Sequence, residues 1–304
     1  MHFEEQEPLD FVLNDLFAHY RQHVTDVSKI TNSLLAKAII QEQADIVNDH
    51  IAFRTLGVPH LGIASFEKIF LAYGYTRKDY FYFEEKKLNA YWYAPANPDY
   101  PRIFVSELII EALSPAVQAI IHRYTDAIVV DPVDTLDLQN GQKVANFLQK
   151  PLWALPTSEE YTTLLAESEY AAWAIYNRYY LNHYTISIHA LPEGYNTLEA
   201  FNAFLESIGI KLNSSGGKIK TSADGLLRQS STVSALYDAT FADGKMLPIA
   251  GSYVEFAERG VLPKFADLPK ADIRPEHRRE GFEANNADKI FESTYTTQIT
   301  GEAK

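Results

Sequence analysis

The stretch Asn48-Asp49-His50-Ile51-Ala52-Phe53-Arg54-Thr55 decides how this chain is read. β-Branched and aromatic residues alternate with polar or small ones, the pattern of a short strand. Strand side chains alternate between faces, so His50, Ala52 and Arg54 share one face and Asp49, Ile51 and Phe53 the other. The second face supplies the apolar bulk, while the first carries an imidazole and a guanidinium. A metal ligand with a fixed cation two pleats along is what a site for an anionic, metal-chelating substrate needs.

The pattern returns in Asn182-His183-Tyr184-Thr185-Ile186-Ser187-Ile188-His189, which places His183, Thr185, Ser187 and His189 on one face. Each strand leads to an amphipathic helix closed by a glycine. Helices are predicted over Ser65–Tyr73 before Gly74 and over Leu198–Ser207 before Gly209. From His50 to Gly74 is 24 residues and from His183 to Gly209 is 26, which supports an internal duplication. Strands are predicted at 75–83, 88–93 and 102–109 in the first unit, and around 218–221, 227–235 and 251–259 in the second.

The fold class expected is therefore α+β. Two βαβββ units, 46–110 and 181–260, pair around a cupped mixed sheet that encloses a metal site. Residues 8–40 read as a helical N-terminal segment, 111–180 as a helical insertion, and 261–304 as a C-terminal segment of one metalloenzyme domain. Within the insertion, helical spacing covers 116–124 and 159–179, separated by a stretch bearing Pro132, Pro151 and Pro156. His50 is matched with His183 and Glu107 with Glu255, so that four candidate ligands converge.

Composition narrows the chemistry. The chain has 304 residues, 46% hydrophobic and 13% aromatic, enough for a large folded core. It has no cysteine, so a metal must be held by His, Asp or Glu, a set that suits Fe(II), Mn(II), Zn(II) or Ni(II). A net charge of −13 argues against nucleic acid or an anionic membrane as partner. The acidic N-terminus shows no secretory signal and no apolar run reaches spanning length, so a cytoplasmic location is expected.

Two His and one carboxylate on one side of a metal leave open positions for a chelating substrate and dioxygen. His50, His183 and Glu255 are the ligands expected, with Glu107 and His189 as candidates beside them. A strand histidine is ordinarily structural. Two of them opening matched units argue for ligation, and Glu255 between Val254 and Phe256 is a carboxylate that needs a partner. Arg54 is placed to clamp a carboxylate through a two-pronged hydrogen bond. Gln229 is a candidate donor to an oxygen in the site, although a structural amide fits its position equally.

The segments 48–55, 181–185, 229–231 and 252–256, together with Gly281-Phe-Glu-Ala-Asn-Asn-Ala-Asp-Lys-Ile-Phe-Glu-Ser-Thr294, resemble the DUF1338 family. Its best-understood members are 2-oxoadipate dioxygenase/decarboxylases. The resemblance spans about residues 10–296. It implies a vicinal-oxygen-chelate-like fold, Fe(II) on His50, His183 and Glu255, and Arg54 reading the far carboxylate of the substrate. Ser293, in the closing segment, is a candidate substrate contact. The reaction implied takes 2-oxoadipate and O2 to 2-hydroxyglutarate and CO2 in lysine catabolism. An O2-independent metal-dependent lyase, isomerase or hydrolase, favoured if Glu107 ligates, and a non-catalytic binding protein are the alternatives.

Overall fold

The computed structural model describes residues 3–301. In chain order it contains helices α1 (Pro8–His23) and α2 (Thr25–Ala36), strand β1 (Asn48–Leu56), helix α3 (Ile63–Ala72), and strands β2 (Thr76–Phe83), β3 (Leu88–Ala94) and β4 (Arg102–Leu108). Four helices follow: α4 (Pro115–Thr125), α5 (Gly141–Gln149), α6 (Ser158–Glu167) and α7 (Glu169–Asn177). Then come β5 (His183–Ser187), α8 (Leu198–Ser207), β6 (Lys220–Thr221), β7 (Leu227–Ser231), β8 (Leu236–Thr240), β9 (Met246–Ala250) and β10 (Tyr253–Arg259). Helices α9 (Ala284–Phe291) and α10 (Thr296–Thr300) close the described chain.

Eight strands form one curled sheet in the order β2-β3-β4-β1-β5-β10-β7-β6. The order is palindromic in the two units: β1 lies parallel to β4, β5 lies parallel to β10, and β1 meets β5 antiparallel at the centre. The expected pair of βαβββ units is thus what the chain builds. The hairpin of β8 and β9 is an addition between β7 and β10 that sequence pattern does not announce. Its strands are mostly exposed and β9 carries Pro248, so neither shows the apolar alternation of a core strand.

The apolar face of each unit is covered by its helix. Phe53 of β1 packs on Phe66 and Phe70 of α3, with ring centroids 4.8 and 5.8 Å apart. Phe256 of β10 packs on Phe201 of α8 at 5.2 Å. The opposite, concave face is buried too, because α7 and the segment 282–294 are drawn across it. In the insertion, Ser168 breaks the expected long helix: its hydroxyl accepts the Ala171 N–H, ending α6 and capping α7.

The strands correct two sequence expectations. His50 pairs with Arg102 in β4 and His183 with Tyr253 in β10, so the residue two further along is Phe104 in one unit and Glu255 in the other. The counterpart of Glu255 is therefore Phe104. Glu107 falls on the other parity and points away from the concave face, toward the start of α3. There its Oε2 accepts the Ile63 N–H at 2.7 Å. Gly62 makes room for it, since a Cβ there would lie 2.2 Å from that oxygen. We expect Glu107→Ala to lower stability by about 0.5–2 kcal/mol, the usual range for losing a helix-start acceptor, in urea unfolding. Metal content and turnover should stay at wild-type levels. Loss of metal in that variant would restore Glu107 to the site.

His189 is the second correction. β5 ends at Ser187 and residues 188–190 form a tight turn, so alternation stops before His189. Its Nδ1 accepts the Arg259 N–H at 3.2 Å instead of facing the centre with His183.

Candidate metal centre

Three strands deliver three potential ligands to one point. β1 places Ala52 opposite His183 and β10 places Glu255 opposite Thr185, so the side chains of His50, His183 and Glu255 converge on the concave face. Their ligand atoms lie within 4.8 Å of one another and all three residues are buried. His183 Nε2 is 3.1 Å from Glu255 Oε2, and His50 Nε2 is 3.5 Å from Glu255 Oε1.

Each imidazole is aimed by the residue before it. His50 Nδ1 lies 2.7 Å from Asp49 Oδ1, and His183 Nδ1 lies 3.1 Å from Asn182 Oδ1. Both oxygens accept, which puts the proton on Nδ1 and the lone pair of Nε2 toward the cluster. Asp49 is in turn fixed by Arg259, whose Nε and Nη2 donate at 2.6 and 2.8 Å. Burial alone would raise the Asp49 carboxyl, but the Arg259 guanidinium overrides it and holds it well below the usual carboxylate range. Glu255 is positioned by Gln229, whose Nε2 donates to Oε1 at 2.6 Å, while Asn286 of α9 donates to Gln229 Oε1 at 3.0 Å.

Burial, with His50 and Arg54 nearby, pushes His183 well below its ordinary value and keeps it neutral. Burial acts the same way on His50 but is outweighed by the Glu255 carboxylate and the bond to Asp49, which raise it. Two imidazoles and a carboxylate with this second layer of partners fit a divalent first-row metal and leave coordination positions free.

The space at the cluster is small and mostly apolar. Phe104, Tyr253, Phe282, Ala287, Ile290 and Phe291 wall a cavity of about 20 Å³, room for about one water. Past it lies Arg54, only 1% exposed. Its guanidinium sits 4.9 Å from the Tyr170 ring centre and 5.0 Å from that of Trp173. Nη1 donates to Thr294 Oγ1 at 3.1 Å and Nη2 to the Phe291 carbonyl at 3.2 Å, whereas Nε has no partner among the described residues. Among the described residues no carboxylate is within ion-pair distance of it, and burial pulls its pKa below the ordinary value. The buried Tyr253 hydroxyl is likewise without a hydrogen-bond partner among the described residues.

The structure thus brings together His50, His183, Glu255 and Gln229, places Arg54 beyond them on the same strand face as His50, and leaves Glu107 and His189 outside. Ser293 lies beside this region, with its hydroxyl 2.8 Å from Ser231 Oγ and accepting from Asn213 at 2.9 Å. Its neighbour Thr294 is the residue that meets Arg54. Sequence reasoning misses Asp49 as the orienter of His50, and Arg259, Asn286 and Phe282. Arg259 has a signal: it stands four residues after Glu255 as Arg54 stands four after His50.

Paired βαβββ units closing on a buried two-His-one-carboxylate cluster define a metal-dependent enzyme of the vicinal-oxygen-chelate type. The chain belongs to the 2-oxoadipate dioxygenase/decarboxylase family, whose sequence model matches residues 12–271. It is 46% identical over 266 residues to a chloroplastic 2-oxoadipate dioxygenase/decarboxylase of Arabidopsis thaliana, covering 83% of this chain and 69% of that protein. It is 41% identical over 313 residues to a chloroplastic/amyloplastic one of Oryza sativa subsp. japonica, covering 96% and 83%. The crystal structure of the Oryza sativa hydroxyglutarate synthase in complex with 2-oxoadipate superposes with a TM-score of 0.86 at 39% identity, covering 98% of this chain and 96% of that one. Both relatives are named as plastid proteins, which contradicts the cytoplasmic location expected from the sequence. Among the described residues no helix is long and apolar enough to cross a membrane.

Proposed function

We propose that this chain converts 2-oxoadipate and O2 to 2-hydroxyglutarate and CO2, with Fe(II) held by His50, His183 and Glu255. The observation that carries this reading is Arg54: a fully buried cation with an unmet Nε, on the strand and face of His50. A buried guanidinium with no carboxylate at ion-pair distance, Glu169 acting on it only from further off, is costly, so its retention beyond the metal cluster argues for a ligand that brings the anion. A dicarboxylic 2-oxo acid does so. Its carboxylate and keto oxygen chelate a metal and leave a second carboxylate at the far end.

Bound iron supplies the reactivity toward O2 that no side chain has. The protein does the rest. His50 and His183 offer Nε2 because Asp49 and Asn182 hold their Nδ1 protons. Gln229 holds Glu255 in one rotamer. The rings of Phe104, Phe282 and Phe291 keep water from the reacting carbon. Arg54 fixes the tail, so the shortened acid stays in place between loss of CO2 and its own hydroxylation. Phe104 at the position equivalent to Glu255 supports this over an O2-independent lyase, because among the described residues no fourth imidazole or carboxylate joins the cluster.

The test is oxygen uptake by anaerobically iron-loaded protein with 2-oxoadipate, 2-oxoglutarate and 2-oxohexanoate. Uptake should be fastest with 2-oxoadipate alone and need no second oxidisable substrate. Uptake only when 2-oxoglutarate is supplied with another acceptor would contradict the proposal.

A further inference from the structure

The cavity at the metal cluster cannot hold a six-carbon diacid as it stands, yet a cleft of about 590 Å³ opens next to it. The cleft lies at the end of the concave sheet face where Asn48, Arg102, Ser187 and Arg259 emerge from four adjacent strands. The wall between the two spaces is the strap 279–282. Glu280 lines the cleft and Phe282 lines the cavity, where its ring centre is 4.7 Å from that of His50.

The strap is held by arginines. Arg259 donates to the Arg279 and Gly281 carbonyls at 3.0 and 2.8 Å. Arg102 grips the Glu280 carboxylate with two prongs, Nε to Oε1 and Nη2 to Oε2, both at 2.6 Å. The Glu280 side chain is 52% exposed and that of Arg102 16%, so solutes reach this pair from the cleft. Arg274 and Arg278 stand on the same lining, so that four guanidinium groups face three carboxylates, Asp49, Glu276 and Glu280, in a chain of net charge −13. Arg102 also reaches Asp49, with Nη1 3.3 Å from its carbonyl oxygen, and Asp49 orients His50.

We propose that this cleft is a docking site for dicarboxylates. A carboxylate of the incoming acid takes the place of Glu280 on the Arg102 fork, and its arrival frees the strap that walls off the metal cavity. Glu280 is an internal stand-in for the ligand: a carboxylate on the same two-pronged donor, tethered so that an external carboxylate at sufficient concentration displaces it. Gly281, at φ +75°, gives the strap a backbone position that other residues adopt with strain, next to the element that must swing. The inference rests on the proposed use of a dicarboxylic 2-oxo acid, but it concerns a site separate from the metal cluster and from Arg54.

The experiment is calorimetric titration of metal-free protein with adipate, which has two carboxylates and no keto group, alongside steady-state turnover of 2-oxoadipate by the iron-loaded protein. Adipate should bind weakly and more weakly in high salt. Glu280→Gln should tighten it about 3–10-fold and Arg102→Gln should abolish it. In turnover, Glu280→Gln should lower KM with kcat within about twofold, since the competitor for Arg102 is gone. Binding that survives Arg102→Gln, or no binding even in Glu280→Gln, would each overturn the proposal. Adipate binding at Arg102 in a protein that does not turn over 2-oxoadipate would instead reject the proposed reaction and keep the docking site.

Discussion

Replacing Arg54 by Met is expected to reduce kcat/KM for 2-oxoadipate by about 10²–10³-fold while leaving bound iron unchanged and the fold at least as stable. Removing one partner of a buried, hydrogen-bonded charge pair costs roughly 2–5 kcal/mol, and each 1.4 kcal/mol is a factor of ten. Without substrate, however, Arg54 has no such pair. It donates two hydrogen bonds, to Thr294 and the Phe291 carbonyl, and leaves Nε unmet among Tyr170, Trp173 and Phe291. An apolar side chain of similar length gives up little there and removes a buried charge, a change that is often neutral or stabilising. Activity and stability should therefore move apart. The contrast that isolates the role is 2-oxohexanoate, which has the same chelating end and a methyl tail. Its kcat/KM should fall far less than that of 2-oxoadipate, or rise. Equal losses for the two acids would place Arg54 in the support of the fold or the metal.

The second large effect is at the cluster. His183→Ala and Glu255→Ala should each lose most of the bound iron, and turnover by about 10³-fold or more, because the several kcal/mol a metal contributes at the reacting atoms disappear with it. Both proteins should fold, since the apolar layers under α3 and α8 lie on the other face of the sheet. His189→Ala should keep its iron, for His189 contacts the Arg259 backbone and not the cluster. The account of the ligands fails if His183→Ala retains full iron and His189→Ala does not.

What is legible in the sequence, and what is not, has a physical pattern. Alternation within one strand is local, so the residue order alone puts His50 with Arg54, and His183 with Thr185, on the right faces. The likeness of the two units carries the topology. Pairing between strands is not local, and there residue order misleads. Glu107 matches Glu255 as the carboxylate carried on the fourth strand of its unit, but the parallel register sets Arg102 beside His50 and so puts Phe104 at the equivalent point. His189 shares the face of His183 only if alternation continues past Ser187, where the backbone turns. The roof over the cluster is out of reach for the same reason. Phe282 and Phe291 touch His50 and Arg54 across more than two hundred residues of chain, and no spacing rule connects them.

Arg259 illustrates the middle ground. Its place four residues after Glu255 mirrors Arg54 after His50, which the sequence displays, but its task is different. It ion-pairs with Asp49 at 2.6 Å, behind His50, so the two arginines of a duplicated pattern sit differently: one holds the carboxylate that orients His50, while the other is the one we propose for the substrate. Chemistry assigned by motif position alone would give them the same role.

The central claim is that one buried cluster uses a single dicarboxylic 2-oxo acid both to reduce O2 and to receive its oxygen. Turnover of 2-oxoadipate by iron-loaded protein under ¹⁸O2 tests this most directly. The account predicts one CO2 per O2 consumed and 2-hydroxyglutarate carrying both labelled atoms, one in the new carboxylate and one in the hydroxyl. Product whose hydroxyl oxygen comes from water, or CO2 released without O2 uptake, would contradict it.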